Sequence, residues 1–203
     1  YPYTIFVNPQ LIDEGKSYVM TWPQLKALTK EGAYIANHSA QHDYLHIRED
    51  NESLAQWRER IRKDITHSEQ RIKQEIGHNF KYVAYPYGEF SRELQTLVKE
   101  LGYVGIGQHS GAVGLNTDLT RVPRFPASGF YANLDTLKTK IASLPFSFHL
   151  KAQSVTTNTT PVLRLTFTEK DFELLNKQPK GKLFARKFQS EGKVLNLIDK
   201  FLL

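Results

Sequence analysis

His38-Ser39-Ala40-Gln41-His42 sets two imidazoles four residues apart. Neutral imidazole is the commonest metal ligand among side chains. On a helical turn that spacing puts both rings on one side, where they can share a divalent cation. Surface histidines also meet at this spacing, so the context has to decide. The pentad follows directly on Ala33-Tyr34-Ile35-Ala36-Asn37, which reads as a short strand, and the carboxyl end of a strand is where α/β folds gather their chemistry. About one βα unit later comes Tyr85-Pro86-Tyr87-Gly88, a turn in which proline presets φ and glycine supplies a positive φ. A backbone N–H at such a strand end can face a developing oxyanion. Together these features favour a metal site. Two ligands do not complete one, because a catalytic zinc has three protein ligands and an open fourth position. Asp43 points elsewhere on a helical turn and His46 lies too far along it, so the third ligand is expected from another strand end.

The elements that must position these residues follow from the apolar pattern. Tyr3–Val7 is β-branched and aromatic, closed by Asn8-Pro9, and reads as a buried strand. Thr21 caps a helix to about Lys30, and Gly32 ends it. Ser53 opens the longest helix, to about Ile76, with Leu54, Trp57, Ile61, Ile65, Ile72 and Ile76 on one stripe and Gly77 as its stop. A strand over 82–85 leads into the proline turn. Ser91 caps a helix with Leu94, Leu97, Val98 and Leu101 inward, and the strand 103–106 follows. A polar, glycine-rich loop spans 107–118. A strand broken by Pro123 is expected over 119–125, then a helix over 134–144 with Leu134, Leu137 and Ile141 inward. Strand and helix thus alternate over 1–145, which predicts a parallel sheet covered by helices, either a (β/α) barrel or a doubly wound sheet. The pattern then breaks, and 150–203 reads as a small, mainly β appendage to a domain spanning 1–149.

The chain of 203 residues is 40% hydrophobic, as in a folded globular protein, and contains no cysteine. Disulfides, thiol catalysis and cysteine-ligated zinc are therefore excluded. The formal charge is +6, with basic residues gathered at 58–63 and 177–187. The first group alternates with Glu59 and Asp64 and reads as a solvated face. No recognition motif accompanies either group, so no nucleic-acid partner is expected. No apolar run approaches the ~20 residues of a membrane-spanning helix. The opening on Tyr1 reads as a processed or trimmed end.

The pentad, with Leu45 after it, resembles the His-(Ser/Thr)-x-x-His-x-x-Leu motif of the polysaccharide deacetylases of carbohydrate esterase family 4. Tyr85-Pro86-Tyr87-Gly88 is similar to the turn that walls the groove in that family, and Tyr3–Val7 looks like the strand that follows the family's first motif. The resemblance covers about residues 1–130. It implies an irregular (β/α) barrel that removes acetyl groups from N-acetylglucosamine-type sugars in a polymer, in a periplasmic or secreted setting. It also implies a divalent metal, commonly zinc, held by one Asp and by His38 and His42. A second Asp would act as general base, with the backbone N–H of Tyr87 on the oxyanion.

The departures from the family are as informative. Both aspartates belong to its first motif, Thr-Phe-Asp-Asp-Gly, and no Asp-Asp pair occurs in the 203 residues. The chain therefore reads as opening on the second strand of the barrel, with some tens of residues expected upstream and little turnover expected as it stands. The third motif opens on Ala84 and Tyr85 where the family commonly has arginine. No clean Leu-x-His supplies a general acid; His109 is the candidate, with His149 an alternative. Tyr85, Pro86 and Arg124 are expected to touch substrate, and Arg121, Phe125, Phe130 and Tyr131 are further candidates. The alternative function is a non-catalytic carbohydrate-binding protein on the same barrel.

Overall fold

The structure is a computed structural model that describes residues 2–78 and 80–145 in full, and beyond them the backbone of four short strands. Two compact units make up the chain: residues 1–108 with 118–122, and residues 109–117 with 123–203.

The first unit is a parallel sheet of four strands in the order β1-β2-β3-β4: Tyr3–Val7, Ala33–Asn37, Tyr82–Ala84 and Val104–Ile106. Strand β1 lies in register with β2 over its whole length, Ile5 opposite Ile35 and Val7 opposite Asn37. Asn37 then faces Val83, and Val83 faces Gly105. The crossovers are helical: α1 (Pro9–Asp13) and α2 (Trp22–Lys30) between the first two strands, α3 (Leu54–Ile76) next, and α4 (Arg92–Glu100) last. Helix α1 escaped the sequence pattern, although Pro9 at its first position is a helix-opening signal.

Helix α3 organises the packing. Ser53 and Gln56 close its amino end reciprocally: the Gln56 N–H donates to Ser53 Oγ (3.3 Å) and the Ser53 N–H to Gln56 Oε1 (2.9 Å). Gly77, at φ 90°, ends it in the left-handed region that glycine reaches without strain. Between them Trp57, Ile61, Ile65 and Ile72 are wholly buried, each contributing about 1.5–3 kcal/mol of apolar burial. The helix spans both core clusters. Trp57, Ile61 and Ile65 join Leu45, Val83, Tyr85 and the α4 residues Leu94, Leu97 and Val98, whereas Ile72 joins Val7, Ile12, Trp22, Leu25 and Ile35.

The second unit contains a short 3-10 turn at Gly129–Tyr131, helix α5 (Leu134–Ala142) and two antiparallel pairs: β5 (Phe148–Lys151) with β6 (Arg164–Phe167), and β7 (Lys182–Leu183) with β8 (Phe201–Leu202). The rest of the expected appendage, 150–203, lies outside the described residues.

Two expectations are corrected. The strand over 119–125 reduces to a single parallel bridge, Ile106 to Val122, since Pro123 cannot donate to a ladder. On α5, Leu134 and Ile141 are not inward: they are 74% and 77% exposed.

Trp57 ties α3 to the segment after His42, because its Nε1–H donates to the Leu45 carbonyl at 3.0 Å and the ring is 1% exposed. Trp57→Phe leaves that buried carbonyl unpartnered and should cost about 1–3 kcal/mol; Trp57→Ala adds a cavity and should cost about 3–5 kcal/mol. Urea unfolding of the three proteins checks both values and their order.

Candidate active site

At the carboxyl end of β2, Asn37 is wholly buried and has every polar atom engaged. Its Nδ2 donates to the Ile65 carbonyl (2.9 Å) and to Glu69 Oε2 (3.4 Å), and its Oδ1 accepts the Ser39 N–H (2.9 Å). Ser39 is also buried, and its Oγ accepts the His42 N–H at 2.9 Å. Asn8, just after β1, donates from Nδ2 to the His38 and Ser39 carbonyls. The His38 N–H donates to the Val7 carbonyl at 2.9 Å, carrying the β1–β2 ladder one residue further.

The pentad is therefore not a helical turn, and this corrects the sequence expectation. Ser39 and His42 both take left-handed backbone, φ 68° and 70°, which breaks any run of helix. The two imidazoles come together all the same, with ring centroids 4.6 Å apart and planes at 79°. His38 Nδ1 lies 2.7 Å from the Ala84 carbonyl of β3. A carbonyl only accepts, so Nδ1 carries the proton, and in the neutral ring Nε2 keeps its lone pair.

The proline turn completes the constellation. Tyr87 sits at φ 59° and ψ 2°, a left-handed conformation that costs a non-glycine residue on the order of 1–2 kcal/mol. Its ring makes an edge contact with His42 (centroids 4.5 Å) and stacks on Tyr44 (4.2 Å, 12°). Gly88 follows at φ 74°, and a Cβ there would stand 2.5 Å from Gln108 Cβ; both conditions require glycine. Tyr44 and Tyr87 remain 44% and 48% exposed, so an aromatic surface adjoins His42.

The other expected residues fall differently. Tyr85 is wholly buried, and its hydroxyl donates to the Thr120 carbonyl at 2.6 Å. Pro86 is buried as well. Both shape the turn from within the core. His109 and Arg124 belong to the second unit, where the Arg124 N–H donates to the His109 carbonyl at 2.9 Å and burial lowers the Arg124 guanidinium pKa. Of His149 only the backbone, in β5, is described. His46 Nε2 stands 3.5 Å from Glu89 Oε2.

The sequence reading missed what lies beneath the loop. Asp64 of α3 accepts the Ala40 N–H on both carboxylate oxygens, each at 3.2 Å. Burial pushes it up to about 6, with the Ala40 N–H opposing the rise and the Asp43 charge adding to it. Burial likewise raises Glu69, which accepts the Lys81 N–H at 3.2 Å. A signal was available: Asp64 and Glu69 fall on the same stripe as Trp57, Ile61, Ile65 and Ile72, where a charge is unexpected.

As to a metal, His38 and His42 bring two imidazoles into edge contact, ring centroids 4.6 Å apart, and imidazole is a common zinc ligand. Among the described residues no group of three or more His, Cys, Asp or Glu could hold one. By chemistry the pair would supply two of the three protein ligands that a catalytic zinc takes.

Residues 1–106 match the family profile of polysaccharide deacetylase. The chain belongs to that family. Solved structures with the same fold include the Aggregatibacter actinomycetemcomitans de-N-acetylase, 16% identical with a TM-score of 0.60, covering 69% of this chain and 65% of that one. The deacetylase domain of Bordetella bronchiseptica BpsB is 21% identical (TM-score 0.54, 61% of this chain, 60% of that one). The Streptococcus pyogenes deacetylase PplD, solved in complex with acetate, is 18% identical (TM-score 0.54, 61% and 51%). The chain thus spans half to two-thirds of their lengths. No curated protein matches it. The parallel sheet with its crossover helices is accordingly the deacetylase (β/α) barrel architecture, the one of the two parallel-sheet folds left open by the alternation that the family resemblance implied.

The Asp64 shift has a consequence for this family member's stability. A carboxyl raised from 3.8 to about 6 on folding binds more protons folded than unfolded between those values, so its contribution falls as pH rises through that window. Asp64→Asn removes the titration. Relative to wild type it should gain on the order of 2 kcal/mol between pH 4 and pH 7, read from denaturant unfolding at both pH values.

Proposed function

We propose that this chain carries the metal-binding and oxyanion-stabilising part of a hydrolase that removes acetyl groups from an N-acetylglucosamine-type polysaccharide. The observation that carries the reading is the His38 Nδ1–H bond to the Ala84 carbonyl. It fixes the orientation of the ring beside His42 with Nδ1 as the protonated nitrogen, and such a bond to one ring nitrogen is the usual support of a histidine that ligates through the other.

His38 and His42 would hold the divalent metal, zinc being the common one in the family, and the metal when bound supplies Lewis-acid polarisation of the acetyl carbonyl and an activated water. The remaining ligand and the general base correspond to the family's first-motif aspartates, which residues 1–203 do not contain. Tyr87 has two tasks here. Its backbone N–H, held in a strained turn next to His42, faces the oxyanion. Its ring, with Tyr44, offers a flat apolar surface for a sugar face. His109 remains the candidate general acid and Arg124 a candidate substrate contact, both proposed from the sequence alone. The substrate is polymeric carbohydrate, and the setting is periplasmic or secreted. No helix among the described residues is long and apolar enough to cross a membrane.

Calorimetric titration with Zn²⁺ tests this on three proteins: the chain, its His38→Ala/His42→Ala variant and the chain extended upstream. Weak binding by the chain is expected, with loss in the double variant and strong tightening on extension, where acetate release from an N-acetylglucosamine oligomer should also emerge. Equal binding by all three would sink the assignment.

A further inference from the structure

The pentad is secured at its ends by Asn8, Asn37 and the β1–β2 ladder. Its centre is Ala40, two residues from each histidine. Ala40 is gripped on both sides: its carbonyl accepts the Gln10 N–H at 3.2 Å, and its N–H is received by both oxygens of Asp64. We propose that Asp64 is the positioning residue of the His38–His42 pair, acting through the Ala40 N–H. The proposal rests on the reading of that pair as a metal site.

Three observations support it. First, the loop lacks helical hydrogen bonds and includes two non-glycine residues in left-handed backbone, Ser39 and His42. Strain of that kind persists only where the surroundings over-determine it. Second, a forked acceptor centres a single N–H between two oxygens and so resists displacement to either side. Third, Asp64 is carried by a helix of 23 residues capped at both ends and packed into both core clusters, a rigid base from which to hold a loop. Among the described residues no lysine or arginine forms an ion pair with Asp64 (the nearby charges are Arg60 and His67, both more distant, and Asp43, of like sign). A carboxylate on the apolar stripe of α3 is unfavourable for the helix packing itself. Its use is local to the loop it holds.

The test separates positioning from stability. Asp64→Leu places an apolar residue on an apolar stripe, so the unfolding midpoint should hold or rise while the grip on Ala40 is lost. Asp64→Asn keeps one acceptor oxygen for the Ala40 N–H and should hold the loop, whatever its pH-dependent change in stability. Two readouts are taken on the full chain: the nuclear Overhauser cross-peak between the ring protons of His38 and His42 without metal, and the affinity for Zn²⁺ alone. In Asp64→Leu the cross-peak should vanish and Zn²⁺ affinity should fall by about tenfold or more, the range for a residue that orients a metal ligand; Asp64→Asn should preserve both. A folded Asp64→Leu that retains the cross-peak overturns the proposal, as does an Asp64→Asn that loses it. If the wild-type chain shows the cross-peak and binds no Zn²⁺, the metal reading fails, and the cross-peak in the variants still decides the role of Asp64.

Discussion

Asn37 is a polar side chain at the end of a strand with no access to water, and a buried amide has to find partners for two donors and an acceptor. It does so in a way that constrains everything nearby. The donors reach down to α3, to Ile65 and Glu69, and the acceptor reaches forward to the Ser39 N–H. The second bond turns the chain back on itself immediately after His38. The reversal buries Ser39, whose hydroxyl catches the His42 N–H. One satisfied amide thereby sets the strand end, the direction of the loop and the return of the second histidine.

The same economy of partners governs the imidazoles. His38 is orientated by two strands at once: its backbone extends the β1–β2 ladder, and its ring donates to the end of β3. Its tautomer follows from the chemistry of a carbonyl, which has no proton to give. His42 is held through its backbone and through ring contacts to His38 and Tyr87. Those contacts join the imidazole pair to the turn whose N–H is the candidate oxyanion donor, so displacement of one element disturbs the other.

Helix α3 contributes to this arrangement at some cost to its own packing. Four of its side chains anchor the two core clusters, while Asp64 and Glu69 occupy positions on the same face that apolar residues would fill more favourably. Both carboxylates accept backbone N–H groups from outside the helix, Asp64 from the loop and Glu69 from Lys81, just before β3. Polar groups on an otherwise apolar stripe thus mark the points where the helix holds chain just outside the strands.

Much was legible in the sequence because the signals were local. The caps Ser53 and Ser91, the stops Gly32, Gly77 and Gly102, and the β-branched runs at 3–7 and 33–37 act within a few residues of themselves, and periodicity supplied the rest of the βα alternation. The spacing of the histidines and the proline turn was enough to point to the family. What local pattern could not supply was conformation imposed from a distance. The pentad suggests a helical turn by spacing, but Asn37, Asn8 and Asp64 pull it into left-handed backbone. Tyr85 resembles a groove residue by position, yet a hydroxyl acceptor thirty-five residues away at Thr120 draws it into the core. Leu134 and Ile141 have the spacing of an inward face and remain exposed. The sequence by itself determined which side chains are available for chemistry and the order of elements that carries them. Only the tertiary structure decided how they meet, because buried hydrogen-bonding groups must find partners wherever the fold brings them, and those partners lie far along the chain.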